Sequence, residues 1–202
     1  MKKLTIFAAI LLACAVSSLA QSQSSGEFNI KKVEISYPSS PDIAGQSDIR
    51  WTPQKWARID VTFDAVPEMT DELVFNYYIL VEDRNDRANP YRLLVGRVNH
   101  INIAKGMGLH SSMYISPKAI QKLTQKKAVN FTQLPITQIS VTISKPGVAA
   151  PLAFNSLKPA AGDWWSKMKQ EEGFLINKTE TPWAALYWDY YESIRPSSSS
   201  RY

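Results

Sequence analysis

The sequence predicts a mainly all-β fold, an antiparallel immunoglobulin-like β-sandwich with one or two short helical insertions. Three observations carry that expectation. In residues 58–64, apolar Ile59, Val61 and Phe63 alternate with Arg58, Asp60, Thr62 and Asp64, the period-two pattern of a strand buried on one face. Residues 73–81 are apolar on both faces, with Leu73, Phe75, Tyr77, Ile79 and Val81 on one side and Val74, Tyr78 and Leu80 on the other, which reads as a central strand. Thr137, Ile139, Val141 and Ile143 alternate with Gln138, Ser140, Thr142 and Ser144 in a further half-buried strand that ends at Pro146-Gly147.

The other elements follow in chain order. Phe28, Ile30, Val33 and Ile35 form a first strand whose alternation slips between Ile30 and Val33, so a bulge is expected at Lys31-Lys32. Pro38, Pro41 and Gly45 force a loop that runs through Trp51 and Pro53. The connection 65–72, with Pro67 and Asp71, joins two neighbouring antiparallel strands or carries the chain from one sheet to the other. After a polar turn at 83–90, residues 91–103 read as a strand with a phase change near Asn99. Ala104-Lys105-Gly106 reads as a turn, and Met107, Leu109, Met113 and Ile115 share one face of the next strand. Ser116-Pro117 supplies an N-cap and first helical residue for a short helix bearing Ile120 and Leu123. Asp163 is placed to cap a second short helix, 164–172, that Gly173 would stop, and the apolar stretches 174–176 and 183–191 would close the fold as strands.

The N-terminus has the form of a leader. Lys2 and Lys3, the apolar run 4–16 and Ser18-Leu19-Ala20 match a signal peptide over 1–20, leaving a flexible linker at 21–27, a domain at 28–196 and a disordered tail at 197–202. The apolar run is short of the ~20 residues that span a bilayer, so no transmembrane segment is expected in the mature chain. Leu11-Leu12-Ala13-Cys14 also approximates a lipoprotein box, which would anchor the protein by a lipid on Cys14, but Leu is a poor match at its second position and export to the periplasm or cell surface is the favoured reading. Cleavage after Ala20 removes Lys2 and Lys3, lowering the net charge from +5 to +3, and removes the single cysteine. The mature chain therefore relies on its apolar core and not on disulfides. So small and scattered a charge gives no nucleic-acid footprint, and Lys31-Lys32 and Lys122 with Lys126-Lys127 read as solvated faces.

Little in the chain suggests catalysis. His100 and His110 have no His-x-x-His or His-x-x-x-His spacing and no third ligand nearby, so no metal site and no cofactor is expected, and both read as ordinary polar or surface histidines. There is no Gly-x-Ser-x-Gly elbow, and His110, Ser111 and Ser112 are neighbours only in sequence. Glu171 and Glu172, adjacent on a helix, would point ~100° apart and could not flank one glycosidic bond. No catalytic residue is assigned, and the protein is read as not an enzyme.

The aromatic residues are the better clue. Six tryptophans and nine tyrosines are many for 202 residues, and several are adjacent, as in Tyr77-Tyr78, Trp164-Trp165 and Tyr190-Tyr191. Adjacent side chains diverge on a helix or a strand, so both members of a pair cannot enter one core face. Trp183 and Trp188, five apart, would fall on opposite faces of an uninterrupted strand. Trp164, Trp165, Trp183 and Trp188 are the candidate contact residues, with coverage of a sheet edge as the alternative use of the surplus rings.

In the stretch 181–196 (TPWAALYWDYYESIRP), together with 58–83 and Trp164-Trp165, the chain resembles the pilus-like proteins of the pilus-associated locus of Akkermansia and related mucin-dwelling bacteria. The resemblance is one of overall pattern and spans about 28–196. It implies an exported, outer-membrane-associated immunoglobulin-like domain, similar to the head domains of archaeal type IV pilins, and it implies no catalytic residues. One departure matters. A pilin keeps its apolar N-terminal helix to build the fibre core, whereas here a cleavage site and the polar run Gln21-Ser22-Gln23 follow that segment. The expected function is therefore structural or interactive, within a pilus-like surface assembly. The expected partners are the protein itself, other envelope proteins, or host glycans and the host surface. The alternative is a mucin-type glycan-binding module that stacks sugars on exposed tryptophans.

Overall fold

The computed structural model describes residues 26–41, 52–83, 86–125, 132–148, 150–159 and 162–196. The expected signal peptide with Cys14, the linker up to residue 25 and the tail 197–202 lie outside the described residues, as does the middle of the loop expected around Gly45.

The seven strands among the described residues belong to one sheet. They are β1 (Phe28–Ser36), β2 (Ala57–Glu82), β3 (Tyr91–Ile115), β4 (Ile136–Ser144), β5 (Ala153–Ser156), β6 (Gln170–Glu171) and β7 (Leu175–Asn177), with one helix, α1 (Pro117–Thr124), between β3 and β4. The backbone is β2 and β3, an antiparallel pair in register from Ala57 opposite Ile115 to Glu82 opposite Tyr91. At ~3.3 Å per residue a straight 26-residue strand would far exceed the width of a small domain. The pair therefore folds over on itself. The first half of β2 pairs with β1 and the matching end of β3 with β7; the second half of β2 pairs with β4, which carries β5, while the start of β3 meets β6. Two leaves result. The all-β, antiparallel, sandwich-like fold is as expected, apart from the parallel pairing of Leu93 and Leu94 with Gln170 and Glu171.

The bend explains two departures from the expected element list. Residues 58–64 and 73–81 are not separate strands but the two halves of β2, and the stretch 65–72 steps between leaves without leaving the strand. Between the pairs Ala65–Gly106 and Met69–Ala104, three residues of β2 stand opposite one of β3, and such an insertion sharpens twist and lets a strand turn. Likewise 104–106 is no turn but part of a continuous β3. Its change of phase falls at Asn102, whose φ of 55° shifts the core-facing series from Leu94, Val98 and His100 to Ile103, Met113 and Ile115.

Ile59, Val61 and Phe63 from the first leaf meet Phe75, Tyr77, Ile79, Val141 and Ile143 from the second in one buried core, with Phe63 and Phe75 edge to face at 4.9 Å. The inner face of the folded sheet forms this core, which is why the odd-numbered residues of β2 are buried in both halves, 57–65 and 73–81. β1 runs against β5, and the Asn155 side-chain amide donates to the Ile30 carbonyl at 2.7 Å across that seam. The register of β1 skips Lys31, so the expected bulge is present there. Ser116 accepts from the Ala119 N–H at 3.2 Å, Pro117 begins α1, and Ile120 and Leu123 close one end of the core. Gly96 in β3 has a packing reason: a Cβ there would fall 2.5 Å from Leu175 Cβ and 2.6 Å from Met113 Cε.

The C-terminal third differs most from expectation. Residues 164–172 form a short 3-10 turn, Trp164–Lys167, and then β6, because Asp163 adopts φ 67° and makes no capping bond. Residues 175–177 do form a strand, but 183–191 form a series of turns. From β6 onward this segment is a strap along the outer edge of β3. Ile101 N–H donates to Ser193 at 2.9 Å, Arg195 N–H to Asn99 at 2.8 Å and Glu192 N–H to His110 at 3.1 Å, so the edge is covered at several points along its length. The Arg92 guanidinium fastens one end through Glu171, with Nε donating to Oε1 at 2.9 Å, and the Arg195 guanidinium fastens the other through both oxygens of Glu72.

Candidate interaction surface

The outer face of each leaf is covered by aromatic residues of the segment 164–191. On the second leaf, the Trp164 indole N–H donates to Ser140 Oγ at 2.8 Å, and Trp165 stacks on Tyr78 at 4.3 Å with the rings 12° apart. Both are half-buried. Their presence buries Ser140 and Thr142, so β4 is covered on both faces where a half-buried strand was expected.

Over the first leaf, Trp183 is 4% exposed and sits stacked 5.1 Å from Tyr114 and edge-on at 5.4 Å to Trp56. Thr181 prepares it, donating its hydroxyl to the Lys178 carbonyl at 2.7 Å and accepting the Trp183 N–H at 3.2 Å. Eight residues later Tyr191 is again buried, its hydroxyl donating to Asp60 Oδ1 at 2.9 Å. Between these anchors the chain turns outward, and Tyr187, Trp188 and Tyr190 are 60%, 74% and 54% exposed. Trp188 is not loose: its indole N–H donates to the Ala185 carbonyl at 3.1 Å, and Lys178 Nζ lies 5.7 Å from its ring. Tyr190 stacks on His110 at 4.0 Å. Tyr187 has φ 58°, a left-handed conformation that costs a bulky residue about 1–2 kcal/mol.

The floor beneath this loop is charged and partly dry. Burial raises the Asp60 carboxyl above its usual range, against the pull of Arg58, whose Nε lies 2.6 Å from Oδ2 but poorly aligned for a hydrogen bond. Burial and the neighbouring Asp60 raise the Tyr191 phenol, while burial lowers His110 and Lys178. Among the described residues the Lys178 ammonium meets the Ala184 carbonyl, at 3.4 Å, and the Trp188 and Tyr191 rings.

The four tryptophans expected at a contact thus divide. Trp183 is an internal anchor, Trp164 and Trp165 cover the second leaf, and Trp188 alone is displayed. Sequence reasoning did not nominate Tyr187 or Tyr190, although the density of rings in WAALYWDYY marks the place. His100 is not a surface residue but fully buried, with Nε2 2.7 Å from Ser111 Oγ, which in turn lies 2.7 Å from the Tyr77 hydroxyl. Nδ1 faces the Glu192 carbonyl at 3.0 Å, and burial lowers the ring's pKa to about 4. This neutral network, closed to solvent on every side, joins the two leaves to the strap. Among the described residues no three His, Cys, Asp or Glu side chains are grouped to hold a metal ion, and no helix is long and apolar enough to cross a membrane.

Fold and surface together define an all-β, sandwich-like protein whose two leaves share their longest strands and whose C-terminal strap displays an aromatic loop. The chain belongs to a family whose model matches residues 19–198. It is similar to a protein of Akkermansia muciniphila solved by crystallography, with 24% sequence identity and a TM-score of 0.69 over 88% of this chain and 100% of that one. At that identity the likeness concerns the fold. No curated protein sequence matches.

Proposed function

We propose that the chain is a non-enzymatic exported protein of the bacterial envelope, an interaction component of a pilus-like surface assembly, and that it meets its partner through Tyr187, Trp188 and Tyr190. The observation that carries this reading is the exposed loop itself. Three large rings within four residues are each more than half exposed, one on a strained backbone, between two buried anchors. Strain of this kind persists where the surroundings hold it in place, and clustered exposed aromatics are the side chains that dominate protein contacts. The resemblance to pilus-like proteins supplies the envelope setting. Crosslinking in the native cell envelope, followed by affinity capture, tests the reading. Multimers of this chain, or proteins of one surface apparatus, should be recovered with the natural protein and lost when Tyr187, Trp188 and Tyr190 are all replaced by Ser. Recovery of the protein alone would sink it.

A second reading is favoured by the Trp188 ring, held by its own indole bond and by Lys178 yet 74% exposed, as a sugar-stacking platform requires. Tryptophan fluorescence that responds to mucin-type glycans and loses the response in Trp188→Ser would support it.

A further inference from the structure

On the other leaf, an open groove of about 360 Å³ runs between the outer face of β2 and β3 and the strap at 170–175. Its floor is a cross-strand row. Asn76 stands opposite Thr142 on one side and Arg97 on the other, so these side chains share one face of three adjacent strands. Tyr78 lines one flank, braced by the Trp165 stack, while Gln170 and Glu172 line the opposite flank from the strap. None of this contributes to the aromatic loop, which lies over the first leaf.

The chemistry of the lining selects among ligand classes. A guanidinium and a carboxylate face the same groove, so a ligand of one charge meets repulsion as well as attraction. Two of the ten lining residues, Asn76 and Gln170, carry planar amides; Asn76 Nδ2 donates one N–H to Thr142 Oγ1 at 3.4 Å, which leaves its other N–H and its carbonyl oxygen for a ligand. Adjacent hydroxyls, which also donate and accept, are matched by planar groups of this kind, and the Tyr78 flank suits the C–H surface of a sugar ring. The volume lies near the lower end of the ~300–1,000 Å³ found for small-ligand sites.

We propose that this groove binds a neutral, hydroxyl-rich ligand, one or two rings of an oligosaccharide, through Asn76, Arg97, Gln170 and Glu172 against Tyr78. The inference goes beyond the assembly role and does not depend on it.

The test is a titration of the full mature chain with neutral disaccharides (lactose, N-acetyllactosamine, maltose, cellobiose), with sialyllactose as the acidic comparison, followed through the side-chain amide signals of Asn76 and Gln170 by nuclear magnetic resonance. At least one neutral disaccharide should shift both signals saturably, with a dissociation constant of about 1 mM or tighter. Arg97→Ala and Gln170→Ala, both at exposed positions that the fold does not need, should each weaken binding about three- to tenfold, the effect of one or two lost hydrogen bonds. Trp188→Ser should leave it unchanged. The proposal is overturned if no neutral disaccharide moves the two amides, if binding survives both groove substitutions, if only the acidic sugar binds, or if Trp188→Ser abolishes binding.

Discussion

Trp164 and Trp165 lie across the second leaf, and Trp183, Tyr187, Trp188, Tyr190 and Tyr191 lie across the first, yet the two sets are used differently. The second leaf is covered in the ordinary way, with one indole hydrogen-bonded to a strand serine and the other flat on a strand tyrosine, so that neither tryptophan stands clear of the surface there. The first leaf has buried anchors at Trp183 and Tyr191 and a raised span between them. Rings alike in type thus perform two tasks, and the difference lies in what each ring touches. A cover stabilises the domain; a displayed ring contributes almost nothing to folding and is free for a partner.

That difference is measurable as stability. The largest effect is expected at the anchor. Trp183→Ala removes a fully enclosed ring packed on Tyr114 and Trp56, and should lower unfolding free energy by about 3–5 kcal/mol in urea or guanidinium titrations. The same measurement on Trp188→Ser should show a change within about 0.5 kcal/mol. Equal losses at both positions would erase the distinction between anchor and display.

The next effect separates the two ends of the strap by pH. His100 is neutral when folded, with its pKa lowered by burial to about 4, whereas in the unfolded chain it titrates near its ordinary 6.5. Between those values the unfolded state binds the extra proton, so the stability His100 confers is complete above about pH 6.5 and declines as pH falls toward 4. The span corresponds to roughly 3 kcal/mol. Glu171, at the other end, has its carboxyl lowered by the Arg92 hydrogen bond, and the stability it contributes persists until pH falls through that lowered value. Hydrogen exchange, corrected for its intrinsic pH dependence, should therefore show residues 192–195 losing protection before 170–171 as acid is added. In His100→Gln the loss between pH 6.5 and 4 should flatten, even if the variant is less stable throughout. Simultaneous release of both ends would contradict this assignment.

A smaller effect is expected for the cover of the second leaf. Trp165→Ala should cost about 1–2 kcal/mol, because the ring is half-buried and packs on Tyr78 and Phe154 without being enclosed. A loss as large as at Trp183 would make the two leaves equivalent.

How far the sequence could reveal this is visible element by element. The Lys31 bulge, the Ser116-Pro117 start of α1 and the end of β4 at Pro146-Gly147 were all legible, because each is decided by a few neighbouring residues. The joining of paired segments into β2 and β3 was not. Pro67 and Gly106 are ordinary turn signals, and only the pairing of Met69 with Ala104, far apart in the chain, shows that the strands continue through them. The helix expected at 164–172 failed for a similar reason: tertiary contacts of Trp164 with β4 and of Glu171 with Arg92 draw the segment out along the sheet. At the surface, the opposition of Trp183 and Trp188 was legible, but its cause was not, since turns and not a strand separate them. Tyr187 carries no local signal of its conformation, which the anchors on either side impose.

Tyr187 also supplies the smallest and sharpest test. Its φ of 58° is a conformation that glycine adopts without strain. Tyr187→Gly should relieve about 1–2 kcal/mol of left-handed strain, offset by the ~0.5–1 kcal/mol that glycine adds to the freedom of the unfolded chain. A net gain of about 0.5–1 kcal/mol in stability is expected, together with weaker partner recovery in the envelope crosslinking experiment. A residue kept for folding would show the opposite, a loss of stability with partner recovery unchanged. A ring maintained at a cost to the fold, and missed only when the partner is present, is what separates the displayed loop of the first leaf from the tryptophan cover of the second.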